Sequence, residues 1–142
     1  FASRGDRENL KVLLDYLVHR AYPQIQDSDD LPLDFFKALV NKQASLVAKW
    51  MSLGFIHGVM NTDNTSAVGL TMDYGPCAFL DETDFGKVFS SIDRQSRYSY
   101  RNQPKITQWN LSILAETLLL LYSDRDKKKA IENFKKENHW RE

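Results

Sequence analysis

The chain has almost no cysteine, no excess charge of either sign and no long apolar run, and each absence excludes something. A single cysteine, Cys77, cannot close an internal disulfide, and no Cys/His spacing suits zinc. Nineteen basic and nineteen acidic side chains cancel, so the positive field needed for broad nucleic-acid binding is missing. No hydrophobic stretch is long enough to span a bilayer, and no membrane association is expected. An initiating methionine is also absent: the opening FASRGD resembles neither a natural start nor a signal peptide. These features suggest a piece of a longer, cytoplasmic protein. What remains is ordinary for a globular chain, 42% hydrophobic and 27% charged over 142 residues, enough for one domain-sized unit, 1–142, with a core of its own.

Helical periodicity dominates both ends. Leu10, Leu13, Leu14, Leu17 and Val18 predict an amphipathic helix from about Asp6, its N-cap, to Tyr22, ended by Pro23. The acidic stretch from Gln24 to Asp30 reads as a loop whose charge faces water. Pro32 suits the first turn of a second helix. Its apolar face (Phe35, Phe36, Leu39, Val40, Leu46, Val47, Trp50, Met51) runs to about Leu53 and stops at Gly54. Trp50 is expected in the core, and Lys42 and Lys49 on solvated flanks. A third helix is predicted over 103–122, with Ile106, Trp109, Leu111, Ile113, Leu114, Leu118 and Leu121 apolar. A fourth is capped by Asp124, with Lys128 and Glu132 able to pair. Interleaved acids make its lysines a solvated face, not a nucleic-acid surface.

Between Gly54 and Gly75 the helical pattern breaks, and His, Asn and Asp gather among turn-forming residues: GFIHGVMNTDNTSAVGLTMDYG. Kinase-like phosphotransferases carry H-x-D-x-x-x-x-N, supplying a base and a metal ligand, and then D-F-G, supplying a second metal ligand. His57 and Asn64 keep that spacing, and Asp73-Tyr74-Gly75 stands where D-F-G belongs. Val59 occupies the position of the catalytic Asp. Asn64 and Asp73 offer hard oxygens suited to a divalent cation carrying phosphates, and Asp63 is a carboxylate able to accept a hydroxyl proton. A plain polar turn over Asn61–Asn64 explains the same letters, and spacing alone leaves the two readings side by side. Val68, Leu70 and Met72 alternate weakly, predicting a small hairpin between Asn64 and Asp73 that brings the two ligands together. His57 is expected to orient the loop, and Cys77 to be a small buried hydrophobe. Asp84-Phe85-Gly86 is a literal D-F-G, but it follows Gly75 and Pro76 with no hairpin to return it, so a turn or cap is expected there. One helical turn is expected near 87–91.

The stretches SLVAKWMSLGFIHGVMNTDN, GLTMDYGPCAFLD, VFSSID and YRNQPKITQWNLSILAETLL together resemble the selenoprotein O family, YdiU in bacteria, over most of the chain. The resemblance implies a mainly α fold: the helical C-terminal lobe of a protein-kinase-like fold, with a small β-hairpin at the active-site loop. It implies transfer of AMP from ATP to Ser, Thr or Tyr hydroxyls of proteins, with ATP flipped relative to kinases, which accounts for Val59. By motif match Asp63 is the proton acceptor, and Asn64 and Asp73 bind Mg2+ (or Mn2+). The family's nucleotide-gripping Lys, its partner Glu and the phosphate-holding arginines would lie upstream of Phe1, in an absent N-terminal lobe. The fragment alone is therefore expected to be inactive. A selenocysteine or cysteine near the family's C-terminus would lie beyond Glu142. Location would be cytoplasmic in a bacterium, or mitochondrial in a eukaryote. Ser96 stands where the family suggests glycine, which leaves the local loop conformation open. A phosphorylating kinase-like enzyme and a non-catalytic helical interaction module are the alternatives.

Overall fold

The computed structural model describes residues 2–75, 77–80, 86–88 and 93–139. Its elements run α1 (Arg7–Ala21), α2 (Leu31–Leu53), β1 (Phe55–Ile56), β2 (Ala78–Phe79), α3 (Gln103–Leu118) and α4 (Asp124–Glu137), with short 3-10 turns between them. The chain is thus mainly helical with one small antiparallel sheet. Its contacts divide it into two compact units, Phe1–Val40 with Leu111–Glu142, and Asn41–Asn110. Helices α2 and α3 each supply residues to both.

In the first unit α1 begins where expected. Asp6 accepts the Asn9 backbone N–H at 3.1 Å and its side-chain amide at 2.7 Å, satisfying a donor that the first helical turn leaves over. These bonds, the side-chain one first, lower the Asp6 pKa. Leu10, Leu14 and Val18 form the buried stripe. Leu13 was expected on it, but the i, i+4, i+8 stripe leaves Leu13 on the flank, 48% exposed. Leu14 and Val18 pack with Tyr22, Phe35, Phe36, Leu39, Leu111, Leu118 and Phe134 in one cluster. Within it Tyr22 meets Phe35 and Phe36 meets Phe134 edge-on, at 5.4 and 4.9 Å between centroids.

The acidic loop is only partly a water-facing strip. Asp30 accepts the Tyr122 hydroxyl at 2.5 Å, and Asp34, in the first turn of α2, accepts the Ser28 hydroxyl at 2.5 Å. Helix α4 starts one residue earlier than expected, at the residue predicted to cap it. Ser123 holds the N-cap position and Asp124 opens the helix. Asp124 pairs with Lys127 at 3.0 Å, and that hydrogen bond lowers its pKa. Among the described residues no Lys128–Glu132 ion pair forms.

In the second unit Gly54 ends α2 with φ +68, and an added Cβ would lie 3.3 Å from Leu80 Cβ. Glycine therefore serves both the left-handed turn and the close approach. Leu80 N–H donates to the Gly54 carbonyl at 2.8 Å, extending a ladder in which Phe55 faces Phe79 and Ile56 faces Ala78. The two strands bracket the loop and do not lie inside it: 64–73 holds turns, because its side chains are tied to flanking helices instead of to each other. Asp84, Phe85 and residues 89–92, where a decoy D-F-G and a helical turn were considered, lie outside the described residues.

Burial pushes the Tyr22 hydroxyl from its ordinary value of 10 up to about 12. Burial, followed by the bond to Asp30, raises Tyr122 as well. A phenol with a raised folded pKa stabilises fully below its unfolded value, and that contribution is lost as pH rises through the folded one. Thermal melting should therefore hold nearly level with pH until about 10 and then fall. The double variant Tyr22→Phe/Tyr122→Phe should show a shallower alkaline fall; parallel curves would refute this origin.

Candidate active-site loop

The loop from His57 to Cys77 hangs from the β1–β2 ladder, and its backbone polar groups need partners that no longer strand supplies. Buried polar side chains of α3 and α2 take that role. Gln103, fully buried, accepts the His57 backbone N–H at 3.0 Å and donates to the Phe55 carbonyl at 2.9 Å. Its amide thus bonds β1 as a neighbouring strand would. Two turns further along α3, Asn110 donates to the Met60 carbonyl at 2.9 Å and to Thr65 Oγ1 at 3.0 Å. From α2, Gln43 donates to the Ser66 carbonyl at 2.7 Å and Trp50 Nε1 to Thr71 Oγ1 at 3.0 Å. Gly69, at φ +73, lets the loop approach so closely that an added Cβ would lie 2.6 Å from Lys42 Cβ.

His57 is the hub of the loop. It is 1% exposed, with Trp50 and Phe55 rings beside it at 5.6 and 6.5 Å. Nδ1 accepts from Val59 N–H at 3.4 Å, and Nε2 lies 2.5 Å from the Met72 carbonyl. An acceptor at Nδ1 and a donor at Nε2 describe the neutral Nε2–H tautomer, which satisfies both bonds. Asn64 Nδ2 in turn donates to the Val59 carbonyl at 3.3 Å. Three hydrogen bonds therefore run from Asn64 through Val59 and His57 to Met72, the residue before Asp73. The expected orienting role of His57 takes this form.

Asp63 and Asn64 share one 3-10 turn, Thr62–Asn64. Asp63 is exposed and Asn64 half-buried. Asp73 is exposed and holds φ +56, a left-handed conformation that costs a non-glycine residue roughly 1 kcal/mol or more. With the Asn64 amide nitrogen bonded to Val59, its oxygen is the atom left to offer a cation. That oxygen and the Asp73 carboxylate are the hard donors that Mg2+ prefers, so the residues fit the ion in chemical type. Among the described residues no group of three or more His, Cys, Asp or Glu could hold a metal by itself, so such an ion would rely on phosphate and water for its remaining ligands.

Several residues differ from expectation. Trp50 is half-buried, not full core, because its indole N–H reaches out to Thr71. Cys77 is half-exposed, its thiol donating to the Tyr74 carbonyl at 2.9 Å. Trp109, expected on the apolar face of α3, is 47% exposed and lies under the Arg97 guanidinium at 4.7 Å. Gln103, Thr107 and Asn110 were passed over by a search for apolar positions. Their i, i+4, i+7 spacing in line with Leu111 and Leu118 was the available signal, and all three are buried.

Ser96 has φ +55, the conformation in which glycine is at ease. Asp93 holds the turn around it, its two carboxylate oxygens accepting Arg97 and Tyr98 backbone N–H at 2.7 and 2.8 Å.

A buried His and amides orienting a loop that presents an amide oxygen and two exposed carboxylates is an arrangement suited to phosphate chemistry with a divalent cation, the class that includes nucleotidyl transfer. The profile of the family described as "Protein adenylyltransferase SelO" matches residues 1–141, and the chain belongs to that family. It is 56% identical over 121 residues to the protein nucleotidyltransferase YdiU of Rhizobium rhizogenes, covering 85% of this chain and 24% of that protein. Its counterpart in Rhodopseudomonas palustris is 52% identical over 128 residues, 90% and 26% of the two chains. That of Nitrobacter hamburgensis is 54% identical over 124 residues, 87% and 25%. The chain spans about a quarter of the length of these relatives. Among the described residues no helix is long and apolar enough to cross a membrane.

Two substitutions test the loop's support. Gln103→Leu leaves a buried N–H and a buried C=O unpaired and should lower unfolding free energy by about 2–4 kcal/mol, and Gln103→Glu, which sets a buried carboxylate against the Phe55 carbonyl, should lower it at least as far at neutral pH. Ser96→Gly should raise it by up to about 1 kcal/mol, strain relief exceeding the added unfolded-state entropy. Denaturant titration reads both, and a neutral Gln103→Leu would remove Gln103 from its role as a strand substitute.

Proposed function

We propose that the protein of which this chain forms part transfers AMP from ATP to Ser, Thr or Tyr hydroxyls of other proteins, with the 57–77 loop at its reacting centre. The observation that carries this reading is the hydrogen-bonded chain from Asn64 through His57 to Met72. It fixes the two ligand-bearing segments together while Asp63 and Asp73 stay exposed to solvent. The family's description as a protein adenylyltransferase and the relatives' names as protein nucleotidyltransferases support it.

In this reading the hydroxyl oxygen of the acceptor bonds to the α-phosphorus of ATP. The bond from that phosphorus to the oxygen bridging to the β-phosphate breaks, and pyrophosphate departs with the electron pair. Asp63, exposed on its 3-10 turn, takes the hydroxyl proton. Asn64 Oδ1 and the Asp73 carboxylate would hold Mg2+ or Mn2+, which neutralises phosphate charge when bound. His57 takes no proton here: both ring nitrogens are committed to the backbone, so it holds the geometry. Val59, where kinases place their base, brings no carboxylate to a γ-phosphoryl transfer.

Full-length protein with magnesium and ATP labelled at the α- or the γ-phosphorus tests the reading. Label should pass to protein from the α-position alone, vanish in Asp73→Ala and drop about 10²–10⁴-fold in Asp63→Asn. Label from the γ-position would establish a kinase. Label from neither, with a broad set of protein acceptors, would favour a non-catalytic interaction module.

A further inference from the structure

The segment 59–64 lines two separate hollows. Met60 and Asn64 face the pocket that contains His57 and Met72. Val59 and Asn61 instead line an open cleft of about 330 Å3, whose other walls include Asp93, Arg94, Arg97 and Tyr98. Asp63 belongs to the same short segment as both sets, so a group lying in the cleft is close in sequence and space to the turn that carries the expected proton acceptor.

The cleft is built by specific bonds. Tyr98, 8% exposed, donates its hydroxyl to Asn61 Oδ1, tying the 93–98 turn to the loop. Among the described residues Asp93 is the only carboxylate in the lining, and both its oxygens accept backbone N–H groups. Arg97 is stacked on Trp109, which orders the guanidinium through its face and leaves its N–H edge for a ligand. Two exposed guanidiniums therefore face the cleft with the local carboxylate already committed, a setting that favours an anion.

We propose that this cleft receives the acceptor segment of the protein substrate, and that Arg94 and Arg97 select segments carrying Asp or Glu beside the acceptor hydroxyl. The inference rests on the AMP-transfer reading above. Nucleotide phosphate is the competing occupant. The lining argues against it, because the expected cation ligand Asn64 is not among its described residues and Val59 offers phosphate nothing.

The test uses the full-length protein, magnesium, α-labelled ATP and two synthetic peptides of equal length, each with one Ser, flanked by Glu in one and by Lys in the other. Wild type should label the Glu peptide with a KM about tenfold below that for the Lys peptide, the scale of two partly exposed ion pairs. Arg94→Glu/Arg97→Glu should invert the preference while the KM for ATP stays within about twofold. Arg94→Glu alone, which leaves the Arg97–Trp109 stack intact, should move the ratio the same way by about threefold and guards against a folding defect in the double variant. Equal KM values for the two peptides in wild type overturn the proposal. A rise in the ATP KM of the variants without a change in peptide preference also overturns it and assigns the arginines to phosphate. Label on protein acceptors but on neither peptide also overturns the proposal, whereas α-label on neither peptides nor protein acceptors overturns the transfer reading itself.

Discussion

The side-chain amide of Gln103 is the contact on which the central loop depends. Strands of two residues cannot satisfy their own flanking backbone groups, and burial makes each unpaired N–H or C=O expensive. By accepting from His57 N–H and donating to the Phe55 carbonyl, Gln103 completes β1 from a helix. It also fixes where His57 begins, and His57 then fixes Val59 and Met72. Position along this loop is inherited step by step from one buried amide.

The same logic explains why α2 and α3 change character along their length. At one end of each, Phe35, Phe36, Leu39 and Val40, or Leu111 and Leu118, pack into an apolar cluster. At the other end polar side chains join the buried positions: Gln43 beside Val47 on α2, and Gln103, Thr107 and Asn110 on α3. An apolar residue at Gln103, Asn110 or Gln43 would pack, but it would leave the loop carbonyl of Phe55, Met60 or Ser66, respectively, without that donor. These polar side chains hold an irregular backbone that a continuous apolar core could not hold.

Much of this was legible in the sequence, and the divisions follow physical lines. Helix ends marked by Asp6, Pro23 and Gly54 fell within a residue or so of expectation, because caps and left-handed glycines act locally. The strands were misplaced within the loop. Alternation of Val68, Leu70 and Met72 suggested pairing there, but pairing went to 55–56 and 78–79, where a long-range ladder and Gln103 compete better. Leu13 and Trp109 were counted as core on period alone, which does not register the width of a contact stripe. Asp63, Asn64 and Asp73 were picked out by motif spacing. Gln103 and Asn110 were not, since a buried amide within a helical apolar pattern looks like an interruption until its partner is known.

Exposure and commitment divide the polar residues of the loop into two groups. His57, Gln103 and Asn110 are buried and bonded to backbone, so any charge or proton they took up would break the bonds that place the loop. Asp63 and Asp73 are exposed, and among the described residues neither has an internal partner. Asp73 also sits in a left-handed conformation that glycine would occupy at less cost. Among the described residues no side-chain bond offsets the strain at Asp73. Strain of this kind is a reason to look for function, and a cation shared with phosphate at Asn64 and Asp73 is the ligand whose chemistry matches the atoms offered. The fold thus commits its buried amides to the backbone and leaves Asp63 and Asp73 exposed to solvent.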